Sequence, residues 1–309
     1  MRIIKLVRDS ASEQNQELTL RDIFSLIWKH RFIVLLFSII SMLIAIFIAF
    51  RIPEKYESTA IVMPVQEEQQ LSSQLLSQVG GLAGLAGLAQ QNRSNKINIA
   101  LEIITSRKFL AEFARKHDIE QEVVAGEDWD EEKAEWIIDT DTLNNSTSRW
   151  NGGINQEQHA FSDWVLHKSL IDKLIIVENE ETGSFKIGFE LFSPIDAKNW
   201  TTWLIDDLNN EVRQRDINQA TTNINYLKEQ IQKTAISEMK PIFYQIIAEQ
   251  SKTMMLAEAR KDYIFSIVDP MVVPEKKSKP KRFLIIVVGV GLGFFISSIY
   301  VLARRGASN

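Results

Sequence analysis

The sequence predicts an α+β domain with a long helical hairpin extension, flanked by two transmembrane helices. Three observations carry this: an uncharged apolar run near each end, a strand hairpin in the middle, and after it an apolar stripe that keeps helical spacing for about 40 residues. At 309 residues, with 45% apolar and 24% charged side chains, the chain can hold one or two ordinary domains. A net charge of −5 implies nothing about nucleic acid, but no dense basic patch lies outside the membrane flanks and no nucleic-acid partner is expected. The absence of cysteine excludes disulfides and thiolate metal sites and suits an oxidising compartment.

The first apolar run, 32–50, is uncharged and long enough to cross ~30 Å of hydrocarbon at ~1.5 Å per residue. A cleaved signal peptide would have a shorter apolar core and small residues at a cleavage site, which Phe47, Ile48, Ala49 and Phe50 do not provide. The run is therefore read as a retained anchor. Ahead of it, Asp22–Lys29 reads as a short amphipathic helix with Trp28 at interfacial depth. Arg21, Lys29 and Arg31 place residues 1–31 in the cytoplasm as an N-terminal tail. The second run, 283–302, returns a short tail, 303–309 with Arg304 and Arg305, to the same side. The body, 51–282, is then periplasmic. Lys276, Lys277, Lys279, Lys281 and Arg282 fall outside and leave the positive-inside count nearly even. Orientation usually follows the first span, and a long translocated domain is less sensitive to flanking charge.

Both spans carry small residues at helical spacing: Ser41, Ala45 and Ala49 in the first, Gly289 and Gly293 with Gly291 between them in the second. Such stripes let backbones approach closely in lipid, against each other or a partner, although glycine and alanine are also simply common in membrane helices. Ahead of the second span, Pro270, Pro274 and Pro280 cannot hold a continuous helix, so 269–282 is read as a stiff basic collar.

Within the body, Tyr56–Met63 has strand composition and stops at Pro64. The Gly-Leu-Ala repeat of Val79–Ala89 reads as a flexible linker, a mobile apolar loop or a fusion-peptide-like segment. Asn95–His117 reads as one helix capped by Ser94. Glu120–Asp141, with Trp129 and Trp136, reads as a solvated acidic helix face, and Asn144–Gly153 as loop. Leu174–Val177 and Phe185–Leu191 read as strands joined through Asn179–Ser184. Ser193 and Pro194 open the long helix. Its stripe of Trp200, Leu204, Leu208 and Val212 continues as a coiled-coil-like seam of Ile217, Ala220, Ile224, Leu227, Ile231 and Thr234. Of these, Ile217, Ile224, Leu227 and Ile231 are expected to join protomers. Pro241 breaks the pattern, and Ile242–Ile267 is expected to return as a second arm, giving a hairpin over about 196–267.

Chemistry is not predicted. His30, His117, His159 and His167 form no HExxH pattern and no GxSxG elbow appears. His159 and His167 near Asp163 read as surface histidines. No catalytic residue, metal or cofactor is expected.

In order along the chain, these features resemble the Wzz chain-length determinants, the polysaccharide co-polymerases of bacterial inner membranes. The residues that carry the resemblance are Tyr56–Ala60, Leu101–Arg107, Ser193–Ala197 running on to Trp200 and Asn209, Glu249–Ala257, and the collar of Asp269, Pro270, Pro274 and Pro280 through Arg282. The resemblance implies an inner-membrane protein with two spans, a periplasmic α/β base and a helical extension. It also implies a homo-oligomeric ring, octameric in the family pattern, that sets glycan length with a Wzy-type polymerase while the lipid-linked glycan grows. No GxxxxGK[ST] loop or tyrosine-rich tail accompanies the second span, so the resemblance is to the O-antigen type without a kinase domain. The competing reading is a periplasmic adaptor or export component for capsule or exopolysaccharide.

Overall fold

The computed structural model describes Trp28 and residues 31–65, 95–143, 161–233 and 237–306. The Gly-Leu-Ala repeat, the loop 144–153, most of the 22–29 segment, Ser94, His30, His159, Thr234 and the side chains of Arg304 and Arg305 lie outside the described residues. Two units are formed, one by the two ends of the chain (1–53 and 279–309) and one by the intervening Glu54–Ser278.

The first unit contains α1 (Arg31–Arg51) and α8 (Arg282–Gly306). Both are long and apolar enough to cross a membrane. A core helix of a soluble protein would pass the same test, but it would be mostly buried. Here only 17% of each apolar window is buried. Leu36, Ile40, Leu43 and Phe47 of α1, and Phe283, Val287, Phe295 and Ile299 of α8, point outward. That much exposed hydrocarbon marks a surface for lipid or for a protein partner.

The second unit is built on a four-stranded antiparallel sheet in the order β4-β5-β1-β6. Its strands are β1 (Tyr56–Pro64), β4 (Leu174–Asn179), β5 (Ser184–Leu191) and β6 (Phe265–Asp269). Chain order in between supplies α2 (95–104), α3 (Arg107–Lys116), α4 (Glu120–Ala125), β2 (Gly126–Asp130), β3 (Glu135–Ile138) and α5 (Asp163–Ile171). β1 is central, with Ala60 opposite Ile187 of β5 and Met63 opposite Ser266 of β6. Gly188 of β5 is required there, because a Cβ would sit 2.0 Å from the Ser58 carbonyl oxygen.

The long arm α6 (Pro194–Lys233) lies on the sheet through Trp200, Leu204, Leu208 and Val212, all buried. This is the i, i+4 face read from the sequence. Thr201, on the same face, accepts from Phe189 N (3.2 Å) and donates toward Ser58 O (3.0 Å), tying the helix to β5 and β1. The return arm is α7 (Lys240–Ala259), with Pro241 in its first turn, where its missing amide costs nothing.

Three expectations are corrected. The helix expected over 95–117 is two helices, because Ser106 breaks the run and caps α3 by accepting from Phe109 N at 3.2 Å. The expected acidic helix over 120–141 is the short α4 followed by the β2–β3 hairpin. Asp130 Oδ1 accepts from Glu132 N and Lys133 N and so builds its turn. The second arm ends at Ala259 rather than 267, since 265–269 is spent on pairing with β1. Part of the seam expected to join protomers also packs inside one chain. Ala220, Ile224 and Leu227 are buried along the α6–α7 hairpin, with Ile217 and Ile231 half-buried.

Candidate functional site in the paired helices and the hairpin base

Antiparallel contact between α1 and α8 is set by the small residues. A Cβ on Gly289 would lie 2.3 Å from Ala45 Cβ, and one on Gly293 would lie 2.6 Å from Ser41 Cβ and 3.1 Å from Ser38 Cα. Only hydrogen can occupy either position at this separation. Ser41 Oγ donates to Gly289 O at 2.7 Å, an interhelical hydrogen bond that the close approach permits. Ala45 and Ala49 are buried, and Phe37 and Tyr300 meet at 5.9 Å between ring centres further along. Gly291 is different. Nothing lies within 4 Å of its missing Cβ, so it takes no part in this interface.

The collar divides between the two units. Up to Ser278 it is stitched to the start of β1. Ser58 Oγ donates to Val272 O (2.8 Å), Ser278 N to Lys55 O (2.8 Å), Ser278 Oγ to Glu190 Oε1 (2.7 Å) and Lys277 Nζ to Glu54 Oε1 (2.5 Å). Met271 is buried between Pro270 and Pro274 in sequence, while Val272 and Val273 are exposed. In the first unit, Pro280 follows a cis peptide bond and precedes α8.

Where the hairpin returns to the sheet, a set of polar residues closes it. Asn209, buried on α6, accepts at Oδ1 from Tyr263 N (3.3 Å), Ile264 N (2.9 Å) and Phe265 N (3.0 Å), and its Nδ2 donates to Phe265 O (3.0 Å). Arg213 donates to Arg260 O (3.0 Å) and Lys261 O (2.5 Å), answering carbonyls that the end of α7 leaves without helical partners. Tyr263 OH donates to Asp216 Oδ2 at 2.6 Å, and Lys96 Nζ lies 3.0 Å from the same carboxylate. Burial, reinforced by that hydrogen bond, pushes the Tyr263 phenol up to about 12. Asn209 enters the sequence reading only as part of the family resemblance and Arg213 not at all, because an amide and a guanidinium on a polar half-helix look like surface.

Lys173 is another residue that the sequence does not announce. It follows α5, and its Nζ donates to Val123 O at the end of α4 (2.6 Å) and to Ser169 O (3.3 Å). Burial, with Lys55 nearby, lowers its ammonium to about 8. The arrangement is a cation at two helix C-termini, a favourable dipole position that burial partly offsets.

Among the described residues the histidines and carboxylates do not converge. His117 Nε2 lies 2.9 Å from Asp207 Oδ2 and its ring stacks on Trp203, while His167 Nε2 meets Thr105 O and Asp163 pairs with Arg115. Among the described residues no group of three or more potential ligands could hold a metal. Trp129 and Trp136 face each other across β2–β3, and Trp136 stacks on Trp200 while donating Nε1 to Asp196 at 2.8 Å. The acidic tract is thus a structural hairpin clamped to the foot of α6.

Two family models match the chain. Residues 16–117 match the chain length determinant protein domain, Wzz, and residues 230–306 match the "G-rich domain on putative tyrosine kinase". The chain carries a Wzz domain. Among solved structures, the Wzz-domain protein is similar to a full-length bacterial polysaccharide co-polymerase at 15% identity and a TM-score of 0.38, over 94% of this chain and 99% of that one. It is also similar to a fragment of WzzB, polysaccharide co-polymerase from Salmonella Typhimurium, at 13% identity and a TM-score of 0.29, over 74% of this chain and 100% of that one. No curated protein matches.

Proposed function

We propose that this Wzz-domain protein is a non-catalytic regulator of surface-polysaccharide chain length, acting with a Wzy-type polymerase on lipopolysaccharide O-antigen or a related glycan. The observation that carries the reading is the pair of family matches, 16–117 and 230–306, each of which takes in one membrane helix and adjoining parts of the same α+β body. The protein sits in the inner membrane with both termini cytoplasmic and the body, 51–282, periplasmic. Its protomers form a ring that scaffolds the polymerase while the lipid-linked glycan grows. With much of the 217–231 seam packed inside one chain, ring contacts draw on other surfaces as well. The outer faces of the hairpin expose Tyr226, Ile242, Tyr244 and Met255 and suit that purpose. Close packing of Gly289 and Gly293 against Ser41 and Ala45 holds the spans as one unit that meets the polymerase.

The test is a lipopolysaccharide gel of the native host with the gene deleted and restored. Deletion is expected to turn a clustered ladder into a smoothly decaying one, and restoration to bring the cluster back. An unaltered ladder refutes the O-antigen reading. The G-rich domain match favours a second reading, a component of capsule or exopolysaccharide export working with a separate kinase. Loss of capsule with a normal ladder, and co-purification with an outer-membrane export partner rather than a polymerase, would select it.

A further inference from the structure

The two edges of the body's sheet are finished differently. Glu190 N donates to Lys173 O at 2.9 Å, and hydrogen bonding alternates along an antiparallel pair, so Ile175 and Val177 turn their backbone groups toward β5. Leu174, Ile176 and Glu178 therefore turn their N–H and C=O groups away from the sheet. Among the described residues nothing bonds to these outward groups. At the opposite edge the same alternation, set by the bond from Val65 N to Ile264 O, turns Phe265 and Ile267 outward. There Asn209 stands in for a strand: its amide accepts from Phe265 N and donates to Phe265 O. Val268, an extra residue in the register, and then Pro270 blunt the rest of that edge. β4 has none of these devices. Its six residues keep an unbroken register with β5, contain no proline or lysine, and are apolar from Leu174 to Val177.

We propose that the free edge of β4 is a docking site for an extended segment of a partner protein, added to the sheet as a further strand. Main-chain bonds to Leu174, Ile176 and Glu178 hold the segment, and side chains select it. Leu174 and Ile176 share a sheet face with Phe189 and Ile187, both buried, yet are themselves only half-buried; Ile175 and Val177 lie on the other face. An added strand covers both sets, so the segment is β-branched or apolar on both of its faces. Beyond them the exposed carboxylates of Glu178, Glu180 and Glu181 form no ion pair among the described residues, and they call for lysine or arginine in the segment at that end. Antiparallel addition continues the pattern of this sheet and puts those cations at the segment's N-terminus. The β4 edge of a second copy fits less well, since it brings the same carboxylates and no lysine within the strand. The edge belongs to the body alone, so the inference stands whether or not the chain sets glycan length.

The test uses the full chain in phosphatidylcholine nanodiscs and a synthetic peptide in which a pair of lysines precedes alternating valine and threonine. Amide exchange is followed residue by residue through β4. The peptide is expected to slow exchange at Leu174, Ile176 and Glu178 by at least about fivefold, and to leave Ile175 and Val177, already bonded to β5, as they were. A peptide that merely adheres to apolar surface does not produce that alternation. Methylating the peptide nitrogens that face β4 is expected to weaken binding by about tenfold or more. Replacing its lysines with glutamates should also weaken binding, most at low salt. On the protein, Ile176→Pro removes an outward N–H without touching a bond to β5 and should lower affinity about fivefold. Should that variant not fold, the methylated peptide makes the same comparison on the unaltered chain. Uniform protection along β4, or equal binding of the methylated or glutamate peptide, overturns the proposal. Alternating protection in the protein alone, growing with its concentration, gives the edge to a second copy and overturns the assignment to a partner.

Discussion

Gly289→Ala is a demanding test of the membrane-helix interface because its cost can be worked out atom by atom. The added Cβ would stand 2.3 Å from Ala45 Cβ, whereas carbon atoms in contact settle at ~3.5–4.0 Å. The helices must therefore separate locally by roughly 1.2–1.7 Å. Separation on that scale breaks the 2.7 Å bond from Ser41 Oγ to Gly289 O. Interhelical hydrogen bonds of this type contribute ~0.6 kcal/mol on average and up to ~1.7 kcal/mol. Dispersion attraction between the two backbones weakens at the same time, so pairing should lose roughly 1–3 kcal/mol. Gly291→Ala is the internal control: it adds the same methyl group two residues away, where nothing lies within 4 Å. Spin labels at Leu43 and Val287, both exposed, would report the α1–α8 distance by double electron–electron resonance in nanodiscs. The expected result is a longer and broader distribution for Gly289→Ala and an unchanged one for Gly291→Ala. An unchanged Gly289→Ala distribution, or an equal shift in both variants, would refute the packing argument. The Gly289→Leu/Gly293→Leu pair should shift glycan length while leaving the soluble body folded, which a ladder gel and circular dichroism read together.

Asn209→Ala leaves three buried amides and one carbonyl without their partner, and should destabilise the body by about 3–5 kcal/mol, with amide exchange accelerating first at Tyr263, Ile264 and Phe265; a loss below about 1 kcal/mol would show that water replaces the side chain. Leu227→Ala, in the hairpin seam, should cost about 2–4 kcal/mol in the monomer itself, measured by denaturant titration at concentrations where no oligomer forms. Lys173 titrates near 8 in the fold against an ordinary 10.5, so the unfolded chain binds more protons in that interval. Its contribution to stability is therefore present above 10.5 and lost as the pH falls through 8, with a slope of up to about 1.4 kcal/mol per pH unit that Lys173→Met should abolish. The Tyr263 phenol, raised to about 12, has the opposite sign: its stabilisation is present below 10 and lost as the pH rises through 12, a phase that Tyr263→Phe should remove.

What was legible in the sequence is what repeats locally. The stripe of Trp200, Leu204, Leu208 and Val212 declares both a helix and its buried face, and the structure places all four against the sheet. The β4–β5 hairpin is legible because its turn residues and alternation lie within a few positions of each other. β6 was not, because Phe265–Asp269 is five residues long, follows an apolar helix without an intervening glycine or proline, and finds its partner some 200 residues earlier. Trp129 and Trp136 mislead for another reason: a spacing of seven fits two helical turns, and it also fits facing positions across a four-residue turn. In the membrane pair, the close approach of Gly289 and Gly293 matches the small-residue spacing, but spacing alone gave no ground for setting Gly291 apart. Only the direction of each missing Cβ separates them.

The central position of β1 has a consequence for how the body is synthesised. β1 follows the first membrane helix directly, yet its neighbours arrive late: β5 well over 100 residues on, and β6 only after both arms of the hairpin have been made. A ribosome adding ~5–20 residues per second leaves β1 with open edges for roughly ten seconds or more before Phe265 is available. Long-range pairing of this kind folds slowly and exposes strand edges meanwhile. A chain that inserts its first span early must keep Ile61 and Met63, both exposed on β1, from pairing with other nascent copies during that wait. Slowing translation within the hairpin should accordingly lower the yield of folded protein, without altering the stability of the molecules that complete the sheet.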